Sequence, residues 1–344
     1  MAKARILPVF VPHLGCPHHC VFCDQNRITG KERAADAATV RRTVEEALRR
    51  SPGVRGYQLA FYGGSFTAIP EAAQQELLDA AAPYLRSGVL SSLRLSTRPD
   101  AVDARTLERL RKAGVTVIEL GAQSLDDEVL RAAGRGHTAR QVRIASRAVQ
   151  DAGFSLILQM MTGLPGQSAE SAYSTAVEIA ALHPDGVRIY PTVIVRGTEL
   201  YERWKAGTYS EHTVEEAVRQ CARIVPVFEE AGIPILRLGL NPTEELSGGD
   251  AAAGAYHPAL GELVRSRILL DQMERQLDGV PAEGIIHLSV NRKTVSKAVG
   301  QHRQNLAQLR RRYRPRSIAI HLTDTPDNTV LVRYEAPATG AGKF

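Results

Sequence analysis

Residues 104–124 read ARTLERLRKAGVTVIELGAQS, and this stretch decides the fold. From Ala104 to Ala113 it carries Ala, Leu, Glu and Arg at helical spacing, and Gly114 stands where such a helix should stop. Val115–Leu120 is a short, β-branched apolar run of strand type, and small polar residues follow it: Gly121-Ala122-Gln123-Ser124. The same unit recurs along the chain. Strands are expected at Ile6–Val11, Gln58–Tyr62, Leu93–Ser96, Phe154–Gln159 and Val187–Tyr190. Helices are expected at Thr39–Arg50, Glu71–Leu85, Ala139–Ala152 and Ser168–Leu182, with Thr39 and Ser168 as caps and Gly153 as a second stop. Six strands alternating with helices argue for a parallel sheet with helical crossovers, and the strands are too apolar for one face to be wet. The expected fold is α/β, a partial (β/α)6 TIM-like barrel.

In such folds ligands bind where strands end. The residues just beyond the strands are His13-Leu14-Gly15-Cys16, Gly63-Gly64-Ser65-Phe66-Thr67, Thr97-Arg98-Pro99-Asp100, Gly121 to Ser124, Met161 to Gly166 and Pro191-Thr192. Polar and glycine-rich signals therefore gather at one rim. A further helical stretch, Thr213 to Ala231, and a strand-like Ile233–Leu238 come next, before Ser247 to Gly254, whose composition is that of a linker. The domain boundary is accordingly placed between residues 246 and 247.

Composition bounds the function. With 344 residues, 44% hydrophobic and 23% charged, the chain is an ordinary globular protein, and disorder is excluded as its main state. The early apolar run Ile6–Val11 is far short of the roughly 20 residues of a membrane span, so no membrane partner is expected. The net charge of +6 has one source. Between Glu283 and Asp324 there is no acidic residue and nine basic ones, and without them 34 basic residues would face 37 acidic.

Three of the four cysteines, Cys16, Cys20 and Cys23, form CxxxCxxC in a loop opened by Gly15-Cys16-Pro17, with Phe22 before the last. This clustering favours metal or redox chemistry in a reducing cytoplasm over a disulfide framework. Structural zinc wants four ligands, whereas a [4Fe–4S] cluster on three cysteines keeps one iron without a protein ligand, open to a substrate or cofactor. A zinc site completed by His13, His18 or His19, or plain reduced thiols, stays open on spacing alone. Cys221 stands in a helical stretch as a small buried hydrophobe.

CxxxCxxC after the first strand of this pattern is similar to the signature of the radical S-adenosylmethionine superfamily. Tyr62 to Thr67, Thr97 to Asp100, Glu119 to Ser124, Gly134-Arg135-Gly136-His137-Thr138, and Ile189 to Thr192 through Arg196 to Tyr201 resemble the radical core of the Elongator catalytic subunit, over roughly residues 5 to 240. The resemblance implies a radical core in residues 1–246, a cluster on Cys16, Cys20 and Cys23, and S-adenosylmethionine chelated by the unique iron. Reductive cleavage by a donor such as flavodoxin or ferredoxin would give a 5′-deoxyadenosyl radical. It further implies that Gly63 and Gly64 admit the methionine amino group, with Ser65 adding a hydroxyl, and that Phe22 lies near the adenine. Ser96, Arg98 and Gln123 would contact ribose and carboxylate, although a loop-stabilising role for Ser96 and Arg98, beside Asp100, is an equal alternative. Gly163 and Gly166 flank Pro165 in an adenine-side turn, and Tyr190 and His137 are candidates for proton or electron transfer, with strand packing the plainer role for Tyr190. Two departures stand out. The chain ends at Phe344, so the acetyltransferase domain of the Elongator subunit is expected to be absent, and Ser96 stands where that subunit typically has Glu.

Residues 247–344 are read as a smaller basic α+β domain. A strand at Ile285–Val290, a helix over Arg292–Val299, a turn Gly300-Gln301-His302-Arg303, a second helix and a strand at Ser317–Leu322 resemble a KH module, whose GxxG turn clamps nucleic-acid backbone, with Arg303 in place of the second glycine. RNA, above all tRNA, is the expected partner. A radical enzyme for a small or porphyrin-like substrate, and a non-catalytic zinc-containing RNA-binding protein, are the alternatives.

Overall fold

The computed structural model describes residues 5–11, 20–23, 35–240 and 246–337. Seven strands form one parallel sheet: β1 (Ile6–Phe10), β2 (Tyr57–Tyr62), β3 (Leu90–Thr97), β4 (Val115–Gln123), β5 (Ser155–Thr162), β6 (Gly186–Pro191) and, after the short β7 (Val193–Val195), β8 (Ile235–Leu238). Their order is β1-β2-β3-β4-β5-β6-β8, and the sheet curls into a half-barrel. The strand-like run after residue 232 thus extends the expected six-strand core by a seventh strand.

Alternation along the strands decides what faces where. On β3, Leu93 and Leu95 are fully buried on one face, while Ser92, Arg94 and Ser96 point to the other. On β4, Ile118 and Leu120 share the outer face, and Glu119 turns inward with Arg94. The helices Ala37–Arg50, Ala104–Lys112 and Ala139–Asp151 bury Val40, Val44, Leu107, Leu110, Val142 and Val149. Each large aliphatic contributes roughly 1.5–3 kcal/mol when taken from water. The interior face is polar, unlike the outer one.

Caps place the helices. Ser168 accepts from Ser171 N as expected, but the first helix is capped by Asp36, whose carboxylate takes the Thr39 amide at 2.7 Å. Thr39 is therefore inside the helix; the Asp36 carboxylate, which accepts from both the Thr39 amide and its hydroxyl, is the cap. Thr138 and Thr213 form capping boxes with Gln141 and Glu216. Gly114 and Gly153 end their helices at φ of +85° and +81°.

Ala251–Gly254, read as linker, is a strand, β9, that pairs antiparallel with β7. Small residues suit this spot because a Cβ at Gly254 would stand 2.9 Å from Thr192 O. The second compact unit runs from Ala259 onward. Its three-stranded sheet has β10 (Ile285–Val290) in the centre, parallel to β11 (Ser317–Leu322) and antiparallel to β12 (Leu331–Glu335). The helix Leu260–Gln276, which sequence reading passed over, buries Leu269, Leu270 and Met273 in one core with Ile286, Leu288, Leu306 and Leu309. The helix expected from Arg292 spans only Val295–Val299, because Asn291 Oδ1 accepts from Thr294 N in a turn before it. Gly300 to Arg303 forms the turn to the helix Gln304–Tyr313, and Arg303 adopts φ +60°, the region a glycine would favour.

Candidate active site

The loop after β1 carries the cysteines. Cys16, with Gly15, Pro17 and the neighbouring histidines, lies outside the described residues. Cys20 is buried and Cys23 partly buried. Their segment is tied from both sides: Val21 N donates to Ala133 O at 3.1 Å, and Leu200 N donates to Val21 O at 2.7 Å. Phe22 packs with Met161, Leu164 and Tyr190 in one apolar patch.

Arg135 is what the sequence reading left without a role. It is 7% exposed, and its Nη1 donates to Cys20 Sγ at 3.2 Å while Nη2 donates to Gly121 O at 2.7 Å. Its position in the Gly134-to-Thr138 motif was visible; its reach back to the cysteine loop was not. The space beside Gly121 is filled by two side chains, since a Cβ there would sit 2.8 Å from Gln123 Nε2 and 3.3 Å from Arg135 Nη2. Gln123, at a register shift between β4 and β5, has φ +66°, a strained value for a side-chain-bearing residue. Its Oε1 is buried without a partner, as is Arg135 Nε.

Ser65 and Arg98 are brought together directly. Ser65 Oγ accepts from Arg98 N at 3.1 Å and lies 2.9 Å from Thr97 Oγ1, closing the loop after β2 onto the end of β3. Arg98 is 3% exposed; its guanidinium holds Asp100 at 2.9 and 3.1 Å and also donates to the Arg135 carbonyl. The loop-stabilising alternative describes these contacts. A chain of contacts therefore runs Ser65, Arg98, Arg135, Cys20 across four loops. Gly63 has φ +93°, which exposes backbone at the end of β2. Ser96 is partly buried, opposite Glu119 in the register.

His137 Nε2 lies 3.1 Å from Ala122 O. Burial, and the Arg135 charge after it, push this imidazole down to about 4, so it is neutral near pH 7. Tyr190 is raised by burial, and the hydroxyl stays protonated. The turn Gly163 to Gly166 is pinned by Tyr209, whose hydroxyl donates to Gly163 O at 2.6 Å.

Below the rim, Glu119 is fully buried and accepts from Arg94 at 2.5 Å, Arg188 at 2.7 and 3.1 Å, Tyr62 at 2.9 Å and Gln159 at 3.2 Å. Burial alone would raise its carboxyl; Arg188 and Arg94 outweigh that and hold it below the usual range. Sequence reading quoted Glu119 in a motif but could not see partners up to 69 residues away.

The model of the Radical SAM superfamily matches residues 10–178, and that of the Radical_SAM C-terminal domain matches residues 184–269. Elongator complex protein 3 of Danio rerio is 33% identical over 248 residues, covering 66% of this chain and 44% of that protein. The tRNA uridine(34) acetyltransferase of Methanocaldococcus infernus is 36% identical over 130 residues, covering 37% of this chain and 24% of the relative. The chain thus spans less than half the length of these curated relatives. A solved structure of the Methanocaldococcus infernus Elp3 has the same fold, with a TM-score of 0.61 at 22% identity, covering 81% of this chain and 68% of that one.

Proposed function

Because the chain belongs to the radical S-adenosylmethionine superfamily, whose members are enzymes using a [4Fe–4S] cluster and S-adenosylmethionine, we propose that it modifies RNA, with a tRNA base as substrate. Membership of an enzyme family removes the non-catalytic zinc protein from consideration. When bound, the two cofactors supply one-electron cleavage of a sulfonium and hydrogen abstraction from substrate. The residues present fit them. Cys20 is a buried thiol beside a cationic donor, and the partnerless Gln123 Oε1 and Arg135 Nε are an acceptor and a donor left for polar groups of a ligand.

On this reading Cys16, Cys20 and Cys23 hold the cluster. Gly63 and Gly64 admit the methionine amino group, Ser65 shapes that loop, and Phe22 offers an apolar face to the adenine. Gln123 accepts from a ribose hydroxyl, and Ser96 lies on the interior face of β3, opposite Glu119. Arg98 steadies Arg135, which orients a carboxylate. Neutral His137 holds the β4 loop through the Ala122 carbonyl.

The substrate reading rests on one observation: the basic turn Gly300 to Arg303 between two helices, with Lys297, Arg310, Arg311 and Arg312 nearby in the same unit. Such a turn suits backbone phosphates. The relatives named for tRNA and the Elongator complex point the same way. The test is the anaerobically reconstituted enzyme. Release of 5′-deoxyadenosine should vanish in Cys20→Ala, tRNA should bind in a salt-sensitive manner, and a deletion strain should lack one modified tRNA nucleoside by mass spectrometry. An unchanged nucleoside profile, with no tRNA shift at low salt, overturns the substrate reading and favours a small-molecule substrate.

A further inference from the structure

The seven strands of the half-barrel contain only four charged residues: Arg94, Glu119, Arg188 and Arg237. Arg94, Glu119 and Arg188 share one hydrogen-bonded cluster on the interior face. Arg237 stands opposite Arg188 in the parallel register of β6 and β8, within electrostatic reach of Tyr190. Glu119 answers two of these guanidiniums by itself, and no carboxylate pairs with Arg237 among the described residues. These strands therefore carry three positive charges against one negative, with Arg94 buried and Arg188 and Arg237 partly buried. They also keep Arg94 Nε, on a side chain 7% exposed, without a hydrogen-bond partner. A surplus of partly desolvated positive charge favours an arriving counter-charge, and guanidinium forks match oxyanions with two parallel bonds.

The surplus has a direction. The cysteine loop follows β1, at one edge of the sheet, whereas Arg188 and Arg237 lie on the last two strands at the other edge. The cysteines belong to the first edge, and the two guanidiniums to the second. We propose that the β6–β8 side of the barrel interior receives an oxyanion of the substrate, a phosphate or a carboxylate, with Arg237 as its first contact and the Arg188–Glu119 pair holding the floor. This deepens the radical-enzyme reading and rests on it in assigning the anion to the substrate. Tyr190, on the same strand as Arg188 and packed against the same apolar cluster as Phe22, would place that substrate's body between the anion and the cysteine loop.

The probe is phenylglyoxal, which labels arginine, applied to the full-length reconstituted enzyme in chloride, inorganic phosphate or acetate at equal ionic strength, with sites mapped by mass spectrometry. Phosphate or acetate should slow labelling of Arg237 at least fivefold. Labelling of Arg147, whose side chain is 78% exposed on an outer helix, should not change. Protection by phosphate alone assigns a phosphate-bearing substrate, and protection by acetate alone a carboxylate. Equal labelling of Arg237 in all three salts overturns the proposal, and so does equal slowing at Arg147. In calorimetry, Arg237→Gln should bind the protecting anion at least tenfold more weakly; unchanged affinity would refute the assignment to Arg237. Cluster absorbance and 5′-deoxyadenosine release are read on the same preparation. If those fail while Arg237 is protected, the radical reading falls and the anion site stands.

Discussion

Replacing Glu119 by Ala tests how the barrel interior is held. The carboxylate is fully buried and accepts five hydrogen bonds, three of them from two guanidiniums. Deleting it strands Arg94 and Arg188 inside with no counter-charge, and removing one partner of a buried pair costs about 3–5 kcal/mol. Glu119→Gln keeps one acceptor and the shape, so about half that loss is expected. Against a global stability of roughly 5–15 kcal/mol, the Ala variant should lose about a fifth or more of the whole. Urea unfolding of the apoprotein at pH 7 measures it, with Leu95→Ala as a pure packing control at about 2–5 kcal/mol. The pH dependence has a definite sign. The folded carboxyl titrates below the ordinary value of 4.5, so its contribution is complete above pH 4.5 and is lost as pH falls through the folded value. The wild type should therefore lose stability in acid more steeply than Glu119→Gln. A change under about 1 kcal/mol in Glu119→Ala, with an unchanged urea slope, would refute the view that this carboxylate neutralises buried charge.

Other variants separate the rim residues. Arg135→Gln removes the cationic donor to Cys20 Sγ, so the reconstituted cluster should have a more negative midpoint potential in an EPR-monitored titration; an unchanged potential rejects the contact. Arg98→Lys keeps the charge but cannot hold Asp100 and the Arg135 carbonyl together, so it should cost about 1–2 kcal/mol in thermal unfolding and weaken S-adenosylmethionine binding less than Arg135→Gln does. The opposite ranking would make Arg98 a ligand. Gly163→Ala puts a Cβ 2.2 Å from His212 Cγ at φ +75°, and should cost about 2–4 kcal/mol by circular-dichroism melting. His137, with a folded value of about 4 against 6.5, should lower stability as pH falls from about 6.5 toward 4. That slope should disappear in His137→Gln; its persistence would assign it to other groups.

The alternation of apolar runs with helices was legible because the outer strand faces are built from side chains as apolar as the helices they meet, as Leu93, Leu95, Ile118 and Leu120 show. Caps were legible where one residue acts alone, as at Ser168, and misread where two candidates compete, as at Asp36 and Thr39. Small residues misled in both directions: Ala251–Gly254 looks like a linker because it carries no bulky side chain, yet close approach to β7 is what demands small residues. The helix Leu260–Gln276 was missed because Leu, Arg, Ser and Ile interleave without a clean polar face, the pattern of a helix buried on several sides. Motifs announced which loops gather at the rim, since a loop's position follows from its strand. They did not announce the pairings among side chains, which join residues as distant as Cys20 and Arg135 and depend on barrel curvature.

The two rim arginines show why such pairings decide roles. From sequence, Arg98 is the obvious anion ligand, because it follows a strand end and precedes Pro99. In the fold Asp100 takes both Nε and Nη2 of that guanidinium, and the same Nη2 also donates to the backbone carbonyl of Arg135. That contact fixes Arg135 through its main chain and leaves the Arg135 side chain to span Cys20 and the Gly121 carbonyl. A guanidinium already paired with a carboxylate has less attraction left for a second anion, whereas Arg135 has no carboxylate among its hydrogen-bond partners in the described residues. The charge available at the rim has thus moved one residue deeper than the motif suggests. Arg98 is the brace that makes this possible.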